Sequence, residues 1–158
     1  MYRRTVITAL AAVSVGIAGC LGRTPPTPAS SSTTTGDSES TTLRSDGITA
    51  TFRVGNGQQP TDDTASATQD DGVVVTGTMD PTGCNRPALD AVLYNDTDAV
   101  IRLVIGVTNP YPDREVECGN ASYKYTCRCV VNRGTPDAVE VIYNYAGREN
   151  PAFPIRLS

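Results

Sequence analysis

The stretch Tyr123-Lys124-Tyr125-Thr126-Cys127-Arg128-Cys129-Val130-Val131 alternates between two kinds of side chain. Positions 123, 125, 127, 129 and 131 are aromatic, cysteine or valine, whereas 124, 126 and 128 are lysine, threonine and arginine. A period of two predicts a β-strand with one buried face. Cys127 and Cys129 then point to the same side, so this strand could be tied to two other places in the chain.

Working outward from this strand, six further runs alternate in the same way and are separated by Gly-, Pro-, Asn- and Asp-rich turns. They are Ile48–Val54, Gly72–Thr78, Ala88–Tyr94, Asp98–Thr108, Ala138–Tyr145 and Phe153–Leu157. The third run is expected to place Leu89, Ala91 and Leu93 on one face and to form a hairpin with the fourth. About seven short strands predict an all-β fold, a small antiparallel β-sandwich that is immunoglobulin-like. A small closed β-barrel is the alternative.

Two long connections separate these runs, Gly55–Asp71 and Asn109–Ala121. Long ordered loops are often functional. The second loop holds Tyr111 between two prolines, with Asp113 close by, and these two residues are the candidate contact residues. The alternative is a turn filled with stiff residues.

Four cysteines follow Cys20 in the sequence, namely Cys84, Cys118, Cys127 and Cys129. An even number predicts disulfides in a chain that is exported, and the amino-terminal residues described below predict export. A bond between Cys127 and Cys129 is disfavoured because their Cα separation on one strand lies near the upper limit for a bridge. Two pairings remain: Cys84–Cys127 with Cys118–Cys129, or Cys84–Cys129 with Cys118–Cys127. One alternative is a four-thiolate site for zinc or another metal, although one Cys-x-Cys and two isolated cysteines do not match the usual spacing. The other alternative is that some of the thiols are free or only partly paired.

The 158-residue chain contains no His and no Trp, which excludes a Ser-His-Asp triad, a Cys-His dyad and any His-containing metal site. Its formal charge of −4 argues against nucleic acid as a partner. The acidic clusters Asp62-Asp63, Asp70-Asp71 and Asp113–Glu117 lack regular calcium-loop spacing and are interpreted as solvated surface. We therefore expect no metal and no cofactor. Asn95-Asp96-Thr97 and Asn120-Ala121-Ser122 match the N-glycosylation rule, so Asn95 and Asn120 are possible modification sites.

The amino-terminal residues predict a targeting signal rather than part of the folded domain. Residues 1–20 combine Arg3-Arg4 with an apolar stretch that ends in Ile17-Ala18-Gly19-Cys20. This pattern is typical of a lipoprotein signal peptide with a lipobox, in which Cys20 is acylated and anchors the protein to the outer face of the cell membrane. The alternative is a plain secretory peptide. Residues 21–46, rich in Ser, Thr and Pro, predict a disordered tether, and residues 47–158 the folded domain.

These features together resemble secreted lipoproteins of halophilic archaea. The resemblance includes the twin-arginine-like start Arg3-Arg4-Thr5-Val6-Ile7, the lipobox, the Ser/Thr-rich tether and arginine almost to the exclusion of lysine. Within the domain, Val73–Thr78, Gly83-Cys84 and Leu89–Tyr94 are similar to a recurrent, uncharacterised small β-domain of such proteins, over about residues 72–157. The resemblance implies twin-arginine export and a salty environment; it implies no activity.

The sequence therefore predicts a non-enzymatic cell-surface lipoprotein with an accessory or binding role in the cell envelope. Its expected partners are the membrane, through lipid on Cys20, and an unknown envelope protein or extracellular ligand. A second hypothesis is a small subunit that captures a solute or polymer for a transporter or adhesion partner. A third is an envelope hydrolase that works through paired carboxylates.

Overall fold

The computed structural model describes residues 29–35, 38–147 and 150–158, which form two β-sheets packed as a sandwich. The predicted β-sandwich is confirmed, and neither sheet closes into a barrel. No helix in these ranges is long and apolar enough to cross a membrane. The predicted signal peptide, with Cys20, lies outside the described residues. The strands are β1 Ala29–Thr35, β2 Ser38–Ser45, β3 Ile48–Gln58, β4 Thr64–Asp70, β5 Gly72–Met79, β6 Arg86–Asn95, β7 Val100–Thr108, β8 Ser122–Val131, β9 Ala138–Tyr143 and β10 Ala152–Arg156.

The two sheets differ in strand direction. The six-stranded sheet has the order β1-β2-β3-β8-β5-β4, and every neighbouring pair is antiparallel. The four-stranded sheet has the order β10-β9-β7-β6, in which β7 and β9 are parallel. The prediction of a wholly antiparallel sandwich therefore needs correction for this sheet. The reason is that β8 crosses to the opposite sheet between β7 and β9, so β9 returns in the direction of β7.

Strand β8, which contains the alternating stretch, lies in the interior of the six-stranded sheet between β3 and β5. Cys127 is in register with Phe52 on one side and Val75 on the other. The expected inner face is confirmed, because Tyr125 and both cysteines are buried while the intervening polar residues are exposed.

The core lies between the sheets and ends in a group of aromatic residues. The Tyr125 ring stacks on Phe52 and meets Tyr143 edge-on, and Tyr143 in turn contacts Phe153. The two buried hydroxyls are paired at 2.7 Å, and Tyr143 Oη donates to the carbonyl of Thr64 at 2.5 Å. These hydrogen bonds give partners to polar atoms that would otherwise be buried without one. Burial raises the pKa of both Tyr125 and Tyr143, so both stay neutral.

Three strands fall where the sequence predicts a tether or a loop. Strands β1 and β2 occupy part of residues 21–46; β2 pairs with β3, and its Leu43 is buried in the core. Strand β4 occupies the end of the Gly55–Asp71 connection. Its inward side chains are only Ala65 and Ala67, which are too small to give a clear alternation of apolar and polar residues.

Strand β6 departs from the expected face pattern because a β-bulge lies at Asp90, between Leu89 and Ala91. The β6–β7 hairpin itself is confirmed. The extra residue reverses the alternation, so Leu89 and Val92 are buried while Leu93 is 50% exposed. The prediction that Leu89, Ala91 and Leu93 share one face is therefore wrong.

Gly77 in β5 has no side chain, and the hydroxyl of Tyr125 occupies the space beside it. A larger residue at this position therefore tests the packing around the paired tyrosines. A Cβ at Gly77 would overlap the Tyr125 hydroxyl and the Thr64 carbonyl. We expect Gly77→Ala to lower the free energy of unfolding by about 1–3 kcal/mol, the usual cost of overpacking, as measured by thermal or denaturant unfolding. Gly55→Ala is the control, because a Cβ there would lie an ordinary 3.4 Å from its nearest neighbour, the Lys124 carbonyl. Equal stability of the two variants would contradict the packing account.

Candidate functional site

The predicted contact loop, Asn109–Ala121, joins the end of β7 to the start of β8 and contributes nothing to the buried core. Tyr111 is half-buried and Asp113 is exposed. The Tyr111 amide donates to Asn109 Oδ1 at 2.8 Å, and the Arg114 amide donates to the Tyr111 carbonyl at 3.3 Å. These bonds form a local turn that presents Asp113 to solvent.

The loop is held to the rest of the domain by a disulfide between Cys84 and Cys118. Their Cα atoms are 5.0 Å apart, and the bond joins the β5–β6 connection to the far end of the loop. Both predicted pairings are therefore wrong, since each joined Cys84 to a cysteine of β8. The physical reason is that Cys127 and Cys129 face the interior of the sandwich, whereas Cys84 and Cys118 lie at its end.

Two hydrogen-bonded contacts supplement the disulfide. Asn120 Oδ1 accepts the Gly83 amide at 3.4 Å, beside the bridge. The Ser122 hydroxyl is fully buried; it accepts the Thr61 amide at 2.8 Å and donates to the Thr61 carbonyl at 3.2 Å. The loop is thus fastened at its carboxyl end and exposed along the segment that contains Asp113.

Both possible glycosylation sites are exposed asparagines, but their side chains have structural roles. Asn120 contacts Gly83, and the Ser122 of its motif is buried. Asn95 lies at the end of β6, where its Oδ1 accepts the amides of Thr97 and Asp98 and so closes the turn.

The remaining two cysteines form a buried pair of thiols. Cys127 and Cys129 are both inaccessible, and their sulfur atoms lie 3.8 Å apart. The hydrogen bond with the Cys129 thiol and burial both raise the pKa of Cys127 well above its usual value. A neutral thiol is a poor nucleophile and a poor metal ligand, so the geometry favours a structural role.

A metal centre finds no support in the described part of the chain, where no three Cys, Asp or Glu side chains lie close enough to hold an ion. The disulfide and the thiol pair occupy different places, which separates the four cysteines that a zinc site would need. Among the acidic clusters, Asp63 accepts hydrogen bonds from Tyr145 Oη and the Asp80 amide, so it closes one end of the sandwich.

A second candidate surface, which the sequence analysis does not identify, is the outer face of the four-stranded sheet. Strand register places its side chains in three cross-strand rows. The rows are Ala91–Val104–Ile142–Ala152, Leu93–Arg102–Glu140–Pro154 and Asn95–Val100–Ala138–Arg156. Eight of these twelve residues are apolar, and part of the face forms an open groove of about 490 Å³. The sequence contains this information, because the residues between the inward-facing positions of each run form the outer face. In β6 the bulge at Asp90 reverses the alternation, so the sequence pattern assigns Leu93 to the wrong face.

Two polar features mark this outer face. Arg102 Nε donates to Glu140 Oε2 at 2.6 Å, with the two side chains 54% and 31% exposed. Next to the first row, the carboxylate of the bulge residue Asp90 lies against Gly106, and a Cβ on Gly106 would overlap this carboxylate. Burial raises the pKa of Asp90 above its usual value, and a hydrogen bond from the Asn144 amide opposes this shift.

The cysteine arrangement predicts a distinctive labelling pattern, with Cys20 counted separately. We expect no alkylation of the native protein, two alkylated cysteines after denaturation without reductant, and four after denaturation with reductant. Intact-mass measurement with peptide mapping would assign the first two labels to Cys127 and Cys129. Labelling of Cys84 or Cys118 without reductant would contradict the pairing.

Comparison with known proteins does not assign this chain to a family. No protein-family model matches it, and the comparisons with curated proteins and with solved structures found no match.

Proposed function

We propose that this protein is a non-enzymatic cell-surface lipoprotein that binds a cell-envelope protein or extracellular ligand through the loop Asn109–Ala121. The observation that carries the proposal is the Cys84–Cys118 disulfide. It secures a loop that adds no side chain to the core, so its effect is to hold a surface segment in place rather than to close the sandwich.

The fixed shape of the loop matters energetically for binding. Ordering a loop at the moment of binding costs free energy, and a covalent constraint reduces that cost in advance. The loop combines the half-buried aromatic ring of Tyr111 with exposed acidic groups at Asp113, Glu115 and Glu117. A partner that suits this surface offers basic groups and an apolar spot for the tyrosine ring.

The location rests on sequence features together with the disulfide. A surface disulfide is typical of an oxidising, extracytoplasmic setting. The lipobox before Cys20, and the resemblance to exported lipoproteins of halophilic archaea, support an anchor at the outer face of the membrane. Lipid on this cysteine would hold the domain to the membrane without spanning it.

The chemistry of the interior supports a binding role rather than catalysis. Within the described residues, the groups with the most strongly shifted pKa values are Tyr125, Tyr143 and Cys127. All three are buried between the sheets, where they satisfy one another's hydrogen bonds or fill the core. Such groups stabilise the fold and cannot reach a substrate.

The anchor is tested by Cys20→Ser in the producing cells. We expect the variant to appear in the medium or to accumulate as an uncleaved precursor, because the acylated residue is lost. Cell fractionation with intact-mass measurement distinguishes these forms from the lipidated wild type. A variant that is processed and retained in the membrane like the wild type would rule out the lipobox.

The contact surface is tested by crosslinking in intact cells with the Tyr111→Ala, Asp113→Ala double variant. Wild-type protein should give a discrete crosslinked species, and the double variant should reduce its yield at least about tenfold, as expected when a central aromatic contact is lost.

The control is Asp96→Ala, which removes an exposed acid from the β6–β7 turn, at the other end of β7. It should retain the crosslinked species, and the melting temperature of all three proteins should agree closely. Unchanged crosslinking in the double variant, or no discrete species in the wild type, would overturn the proposed contact surface.

A further inference from the structure

The two outer faces of the sandwich differ in character. The outer face of the six-stranded sheet is mostly polar where β3, β5 and β8 meet, and Val74 and Val130 are its apolar residues there. Its polar residues include Thr51, Thr76, Thr126, Arg53 and Arg128. Such a face is solvated in antiparallel sheets. The outer face of the four-stranded sheet has the three rows described above, in which eight of twelve residues are apolar. No strand of the described chain packs over it.

The charges on this outer face are arranged so that the face complements itself. Arg102 and Glu140 are neighbours on the two central strands, β7 and β9. Rotating a second copy by 180° about an axis that runs along the strands, midway between β7 and β9, places its Glu140 over Arg102. The same rotation places its Arg102 over Glu140. The two copies then make two opposite-charge contacts at the centre of the interface.

The apolar rows agree with the same axis. Val104 lies opposite Ile142 of the other copy, so the larger side chains meet at the centre. Ala91 lies opposite Ala152, and Leu93 opposite Pro154, at the margins. A two-fold axis across the strands would instead place Arg102 opposite Arg102 and Glu140 opposite Glu140, which like-charge repulsion disfavours.

We propose that this protein forms a two-fold symmetric dimer in which the outer faces of the two four-stranded sheets pack together. The proposal is independent of the proposed function of the loop. Symmetric self-association through one surface patch is the commonest form of protein oligomer. Edge-to-edge pairing through β10 is discouraged by Pro154, which cannot donate to an added strand.

The size of the face indicates a reversible dimer. Four strands at about 4.8 Å spacing, each contributing about five residues of 3.3 Å, form a patch smaller than the roughly 800 Å² that a standard interface buries per partner. The assembly should therefore be detected at protein concentrations of tens to hundreds of micromolar rather than at nanomolar concentrations.

The test is a charge-swap mixing experiment with the full chain, measured by sedimentation velocity. Arg102→Glu makes both central positions of the face acidic, and Glu140→Arg makes both basic. Each variant alone should dissociate more than about tenfold more readily than the wild type. A one-to-one mixture should recover dimers, because each acidic position then meets a basic one in the other copy.

The matched control is Arg128→Glu, which makes the same charge change on the other sheet and also breaks an exposed ion pair, that with Asp71 at 3.1 Å. It should dimerise like the wild type. Recovery on mixing also shows that the single variants are folded, so a loss of dimer cannot be attributed to unfolding.

A second readout fixes the orientation. A short thiol-specific bifunctional crosslinker should join Leu93→Cys of one copy to Pro154→Cys of the other in a mixture of the two variants. It should not join two copies of Leu93→Cys alone, because the two copies of residue 93 lie about three strand spacings, or ~14 Å, apart. A wild-type chain that stays monomeric at hundreds of micromolar, or variants that dimerise unmixed, would overturn the proposal. So would a mixture that fails to recover dimers.

Discussion

The fold depends on strand β8 keeping one register with strands on both of its sides. Tyr125, Cys127 and Cys129 face the core because each lies beside inward residues of β3 and β5. A shift of one residue would turn Lys124, Thr126 and Arg128 into the interior and expose the inner face. Burying three such polar side chains without partners costs far more than any surface contact could return. The alternation of this strand therefore fixes the register of its neighbours.

This constraint also explains why the cysteines divide into two functions. A residue between two packed sheets must be apolar and must fit the space at its position, and at these two positions a neutral thiol behaves as a small apolar side chain. Cys127 and Cys129 thus fill the core, where burial shields them from oxidants in the solvent. Cys84 and Cys118 lie on connections outside the sheets, and their disulfide holds these two connections together. The pairing follows from which cysteines the sheet buries.

All seven alternating runs form strands, with most ends within about two residues of the expected ones. They could be predicted because large apolar side chains at alternate positions identify the buried face of a strand. The inner side chains of β4 are alanines, and β2 has Leu43 as its only large apolar residue, so neither segment has a pattern to detect. The disulfide partners and the parallel β7–β9 pair depend on which strands share a sheet, and a single sequence does not encode that locally. The bulge at Asp90 was also hidden, and with it the exposure of Leu93 and the apolar character of the outer face.

The two proposed surfaces are geometrically compatible, and their combination has a consequence for binding. The loop Asn109–Ala121 follows β7 at one end of the sandwich, whereas the dimer face lies along its side. A two-fold axis parallel to the strands keeps the ends of the sandwich in place, so both loops of a dimer point in the same direction. Two loops facing one way can engage a repeated or extended partner at once, which raises avidity without a new contact. Under the proposed lipid anchor, the chains would share one membrane plane and their local concentration would be high, so a face too small for a strong dimer in dilute solution would still associate there.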